Sequence, residues 1–313
     1  MGKYFAKRLG MALVTIFLVT CVTFLLMNAV PGSPWLSEKT PSEATLAALN
    51  AKYGLDKPVH VQLLMYLKNL LHGDFGVSLK MQRNREVTSI ILEMFPVSAK
   101  IGAIALAWAV LVGVPLGCLA AFKRGKLTDS ILRVVCTLGI SMPSFVVASV
   151  LLVVFAGGAL KLFPTIFDAS QGWRSYVLPC FALGFYPMCY TARQTRSSML
   201  DALNQEYINT ARAMGLKNSK IIFKHALRNA LIPVITYLGP QVAFTLCGGF
   251  VVESVFSIPG LGRNFVQSIQ NRDYPVIMGT TIFLSTFIIL MNVVVDILYK
   301  VADPRINLTK GGD

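Results

Sequence analysis

The sequence predicts an all-α membrane fold of about six transmembrane helices. Three observations carry that reading. The composition is too apolar for a water-soluble chain of this size, long apolar runs recur along the 313 residues, and the charged residues gather between those runs.

Hydrophobic residues make up 54% of the chain and charged residues only 14%, with a mean hydropathy of +0.61. Soluble domains carry about a quarter charged residues. The polar surface is therefore too small to coat a globule, and the excess apolar surface must face a lipid bilayer.

A helix needs about 20 apolar residues to cross a hydrocarbon layer of about 30 Å. Six runs qualify: Leu9–Val30, Ile101–Phe122, Val134–Leu160 with a kink-prone Pro143, Tyr176–Ala192, Ala230–Val252 and Tyr274–Val295. The first follows Lys3, Lys7 and Arg8 as a secretory signal would. Its apolar stretch is too long for one, and Asn28–Pro31 is a poor cleavage site, so a retained helix is expected. Charges set the other ends. A charge at the bilayer centre costs about 2.5–3.5 kcal/mol, so the fourth span is expected to finish near Arg193 and Arg196, and the sixth at Asp296. The organisation that follows is an N-terminal transmembrane helix (1–30), an external segment (31–93), a five-helix core (94–302) with a cytoplasmic helical stretch at 204–216, and a tail (303–313). Within the external segment, Val59, Leu63, Leu64, Leu67, Leu70 and Leu71 recur at helical spacing.

Seventeen Lys and Arg residues fall on the side of the two termini and twelve on the other. Seven of those twelve sit in the long external segment, and long segments translocate regardless of charge. Both termini are therefore expected in the cytoplasm.

The net charge of +14 suggests nucleic acid at first sight, but the basic residues do not form a patch with interleaved aromatics. Six cysteines, none in a C-x-x-C pair, read as small buried hydrophobes, and three scattered histidines make no metal site. Gly125–Lys126 lacks the rest of a phosphate-cradling loop, and neither H-E-x-x-H nor G-x-S-x-G occurs. Carboxylates are nearly absent from the spans. Glu253 and Asp296 sit at span ends and read as interfacial anchors or helix caps. The chain thus shows no catalytic constellation, no cofactor site and no proton relay. A channel needs no energy source, whereas an active transporter of this kind needs a partner that supplies one.

The segment from Glu206 to Leu216 is a short helical stretch of small residues closed by Gly215 as a C-terminal cap, followed by a basic helix into the fifth span. From these residues alone, a structural helical hairpin and a docking element fit equally well.

Several ordered runs resemble one family. They are Ala29-Val30-Pro31-Gly32-Ser33-Pro34, Gly54-Leu55-Asp56-Lys57-Pro58, Gly73-Asp74-Phe75-Gly76-Val77-Ser78, Thr210-Ala211-Arg212-Ala213-Met214-Gly215, Val252-Glu253-Ser254-Val255-Phe256-Ser257-Ile258-Pro259-Gly260-Leu261-Gly262 and Arg272-Asp273-Tyr274-Pro275. Together they resemble the permease subunits of bacterial ABC importers for oligopeptides and dipeptides, over nearly the whole chain. The superfamily's cytoplasmic motif, E-A-A-x3-G-x9-I-x-L-P, fits in spacing from Gly215 to Leu227. Asn209, Thr210, His225 and Arg228 depart from its usual residues.

The resemblance implies a type I importer transmembrane fold in the bacterial plasma membrane. It also implies a second homologous permease chain as heterodimer partner, two ABC ATPase subunits, an extracytoplasmic peptide-binding lipoprotein and peptide cargo. The coupling helix would dock the ATPase through Glu206, Thr210, Ala211, Arg212, Ala213, Gly215 and Leu216. Ser141, Ser144, Gln241, Thr245 and Asn292 are the polar residues that would line a translocation path, although such residues more often serve helix packing. Nickel and metal-chelate permeases look much alike and remain an alternative, as does an ATP-independent channel from a different class.

Overall fold

A computed structural model describes residues 2–29, 54, 56–157, 160–217 and 220–302. Its helices, in order, are α1 (Gly2–Ala29), α2 (Val59–Leu71), α3 (Val87–Phe122), α4 (Leu127–Ser141), α5 (Ser144–Leu151), α6 (Arg174–Leu203), α7 (Glu206–Ala213), α8 (Leu227–Leu246), α9 (Phe250–Val255), α10 (Leu261–Asn271) and α11 (Tyr274–Ala302). A π-helical turn, Leu152–Gly157, extends α5, and another, Ile221–Ala226, leads into α8. Among the described residues the one β pairing is an isolated bridge between Val77 and Glu86.

Four stretches are long and apolar enough to cross a membrane: Ala6–Ala29, Val87–Phe122, Ile221–Val255 and Tyr274–Ile297. The bent pair α4–α5 makes a fifth if taken as one span. The predicted fourth span falls on α6. That helix is long enough to cross, but Arg193, Arg196 and Asp201 make it polar for a span. The 19 steps from Arg174 to Arg193 rise about 28 Å, close to the hydrocarbon thickness.

Several expected span ends differ from the observed helix ends, three of them with a local cause. Pro143 does more than kink the third span: the helices on either side of it meet at 105°. Proline restricts the residue before it, and Met142 is extended at φ −86°, ψ 125°, so the chain leaves the helix there. The fourth helix does not stop at Arg193 but runs ten residues further, to Leu203. The fifth run is broken. α8 ends at Leu246, Gly248 takes φ +91°, and α9 starts at Phe250.

The chain divides into two compact units. The first comprises residues 1–96 and 263–293. Its polar anchor is Asp273, buried just ahead of α11. Ser78 Oγ donates to this carboxylate at 2.5 Å, and the backbone N–H groups of Leu79, Lys80 and Met81 donate at 3.0, 3.1 and 3.0 Å. Four donors offset the cost of burying the charge. Nearby apolar packing includes Phe95 edge-on to Phe283 and Phe287, with ring centroids at 4.9 and 4.8 Å.

The second unit comprises residues 97–262 and 294–313. Helix α6 is its centre and packs on α4, α5, α8 and α9. It also lies close to α3, where a Cβ at Gly113 would stand 2.8 Å from Met188 O and one at Gly117 would stand 2.5 Å from Ala192 O. This is the small-residue approach expected of membrane helices, where close van der Waals contact replaces a hydrophobic driving force. Trp108 of α3 donates its Nε1–H to Cys180 O at 2.7 Å and stacks on Phe181 at 5.0 Å.

Candidate functional site

Helix α7 is held from one side. Ile208 and Ala211 are buried with Met199 and Ala202 of α6 and with Ile221 and Ala226 of the following turn. The helix ends in a Schellman motif. Gly215 N–H donates to Arg212 O at 2.9 Å and Leu216 N–H to Ala211 O at 3.3 Å, with Gly215 at φ +73°. Gly215 is therefore the predicted C-terminal cap, and a left-handed residue is what folds the chain back toward α8. Asn229 of α8 donates to Tyr207 OH at 2.9 Å and ties the hairpin shut.

Of the residues expected to form a docking contact, Glu206, Thr210, Arg212, Ala213 and Gly215 are exposed. Ala211 points into the core and Leu216 is half-buried against it, so these two shape the hairpin from within. The Thr210 hydroxyl donates to Glu206 O at 3.2 Å.

Four of the five expected path residues share one cavity of about 420 Å³ at the 105° bend. Ser141 and Ser144 flank Met142–Pro143, while Gln241 and Thr245 come from α8 and Tyr186 from α6. Asn292 lies on α11 and is half-buried in the first unit. A polar strip leads along α8 from the cavity. Gln241 Nε2 donates to Thr245 Oγ1 at 3.2 Å, and Tyr237 OH donates to Gln241 Oε1 at 3.5 Å. The Tyr237 ring stacks on Tyr190 at 3.9 Å, with Tyr186 6.4 Å beyond. The sequence reading did not single out these tyrosines. The signal was present, because Tyr186/Tyr190 and Tyr237/Gln241/Thr245 each recur at four-residue spacing on one helix face.

A second feature that the sequence reading missed fixes the end of α6. Arg196 grips Asp129 of α4 with two hydrogen bonds, Nε to Oδ1 at 2.6 Å and Nη2 to Oδ2 at 2.9 Å. Asp129 is 1% exposed and also accepts from Gly125 N–H at 3.0 Å. The Arg196 guanidinium and that backbone donor together offset the cost of burying the Asp129 charge. This ion pair ties α6 to α4 at Arg196.

Glu253 is not an exposed interfacial anchor. It is buried, with its carboxylate in a cradle where a Cβ at Gly248 or Gly260 would collide with it and one at Gly262 would come within 2.9 Å. Ser98 Oγ meets the same turn by accepting from Leu261 N–H at 2.8 Å. The glycines of the Val252–Gly262 run thus make room for one carboxylate. Among the described residues, no group of His, Cys, Asp and Glu side chains is arranged to hold a metal ion.

Comparison with known proteins places these features in context. Residues 113–308 match the family described as "Binding-protein-dependent transport system inner membrane component", and residues 1–102 match its N-terminal counterpart. The dipeptide transport system permease protein DppB of Bacillus subtilis is 46% identical over 100% of both chains. The oligopeptide transport system permease protein OppB of Haemophilus influenzae is 43% identical over 98% of this chain and 99% of the relative. The OppB protein of Salmonella typhimurium is 39% identical over the same shares. A solved structure described as an amino acid ABC transporter with histidines superposes with a TM-score of 0.51 at 17% identity. It covers 70% of this chain and 95% of that one, a likeness of fold alone.

Proposed function

Because this chain belongs to the family of binding-protein-dependent transport system inner membrane components, we propose that it is the permease subunit of an ATP-driven importer carrying dipeptides or oligopeptides across the bacterial plasma membrane. It is a transport subunit and not an enzyme; hydrolysis belongs to its partners. The full-length likeness to dipeptide and oligopeptide permeases supports the cargo. The partners are a second homologous permease, two ABC ATPase subunits and a peptide-binding lipoprotein outside the cell. Both termini lie in the cytoplasm, in keeping with the distribution of Lys and Arg.

The observation that carries the coupling role is the one-sided burial of α7. Ile208 and Ala211 lock it to α6, while Glu206, Thr210, Arg212 and Ala213 face outward. A helix fixed to the core and open on its other face transmits force as a lever. ATP binding then shifts the permease between inward- and outward-facing states only through its differential affinity for the two. The cavity at Ser141, Ser144, Gln241 and Thr245 is this chain's share of the path, offering hydroxyl and amide groups that suit a peptide main chain.

The test is purification through a tag on this chain, followed by reconstitution with the lipoprotein. The expected assembly contains two permeases and two ATPases, and it takes up labelled peptide only with ATP and the lipoprotein. Flux without ATP would make the chain a channel subunit. Uptake of a metal chelate but not of peptide would change the cargo.

A further inference from the structure

A cleft of about 250 Å³ opens between α3, α4 and α6, separate from the cavity at the bend. Its polar wall holds three guanidinium groups, Arg133, Arg193 and Arg196, with the hydroxyls of Thr137 and Ser197. Its apolar lining includes Leu116 and Leu132. Among the described residues, one carboxylate meets these arginines. Asp129 holds Arg196 with two hydrogen bonds and stands 3.7 Å from Arg133. The Arg193 guanidinium lies 5.4 Å from the Tyr190 ring centroid. Three cations facing one anion leave an excess of two positive charges.

The depth matters as much as the charge. Arg193 lies about 28 Å along α6 from Arg174, so one of these charges marks each edge of the hydrocarbon. Arginines near the end of a spanning helix reach the level of the lipid head groups, and basic pockets between transmembrane helices suit phospholipid head groups. We propose that this cleft binds an anionic phospholipid. Its phosphate accepts from Arg133 and Arg193, and an acyl chain lies along Leu116 and Leu132. The apolar lining selects a lipid over free phosphate, which has nothing to place there. Arg196, already engaged by Asp129, sets the geometry of the site.

The test uses the assembled transporter in phosphatidylcholine nanodiscs, titrated with phosphatidylglycerol and read by native mass spectrometry. Wild-type complex should retain phosphatidylglycerol in preference to phosphatidylcholine, and millimolar inorganic phosphate should not displace it. The double substitution Arg133→Gln, Arg193→Gln should weaken retention at least about tenfold, as expected for losing two charge-assisted hydrogen bonds. Arg193→Lys, which keeps the charge, should recover most of it relative to Arg193→Gln. Equal retention of the two lipids by wild type, displacement by phosphate, or unchanged retention in the double variant would each overturn the proposal. If the double variant does not assemble, the wild-type lipid preference and the phosphate competition still decide.

Discussion

Helices α1 and α6 have nearly the same length, 28 and 30 residues, and opposite characters. α1 is strongly apolar, yet Leu9, Leu13, Val14, Phe17, Leu18, Val22, Leu25 and Leu26 are all exposed, and Ala12, Thr20 and Phe24 are its buried described side chains. α6 is too polar to qualify as a span by composition, yet it is the packing centre of its unit. It buries Ser175, Gly184, Pro187, Thr191, Thr195 and Ser198 alongside Leu178, Met188 and Met199. Apolar side chains in a membrane protein are placed where lipid is, because lipid is as good a solvent for them as the protein interior. The interior selects small and hydroxyl-bearing residues that let backbones approach. Hydropathy therefore finds the periphery best and the core worst.

Substitutions in the two helices, and in residues that pack on α6, should separate these roles. The largest effect is expected at Gly184, where a Cβ would stand 2.5 Å from Ala105 O and from Trp108 Nε1. Gly184→Leu should drive α3 from α6 and abolish monodisperse protein in size-exclusion chromatography, since overpacking against backbone has no flexible neighbour to yield. Asp129→Asn should come next, costing about 2 kcal/mol by leaving Arg196 without its anion. Thermal melts of the purified complex should show the variant below wild type. Trp108→Phe keeps the stack on Phe181 and loses the hydrogen bond to Cys180 O, for about 1 kcal/mol in the same melts. Leu13→Ala on exposed α1 should cost least, under about 0.5 kcal/mol of stability in the same melts. A large loss there would mean that α1 is packed by a partner subunit and not bathed in lipid.

The same contrast explains what the sequence made legible. Apolar runs located α1, α3, α8 and α11, the four that pass as spans. Periodicity found α2, and Gly215 was read correctly as the cap of α7 because a left-handed residue after a short helix leaves few alternatives. The 105° bend was underread, since Pro143 shows where a helix breaks but not how far the next one turns. The Asp129–Arg196 pair spans 67 residues of sequence, and the Asp273 anchor reaches back to Ser78 across 195. Contacts of that range leave no local pattern. The residues around the cavity at the bend were legible in part. Polar residues inside apolar runs stand out, so Ser141, Ser144, Gln241 and Thr245 were marked, whereas Tyr186, Tyr190 and Tyr237 blend with ordinary aromatic packing.

The decisive measurement concerns α7. Gly215 has φ +73° and nothing within 4 Å of the position of a Cβ, so Gly215→Val strains the turn without a steric clash in the core. In reconstituted transporter this variant should assemble and keep basal ATP hydrolysis, while losing the stimulation of hydrolysis by peptide-loaded lipoprotein together with peptide uptake. Wild-type stimulation and uptake in a properly assembled Gly215→Val complex would contradict the role of α7 as the lever between motor and path.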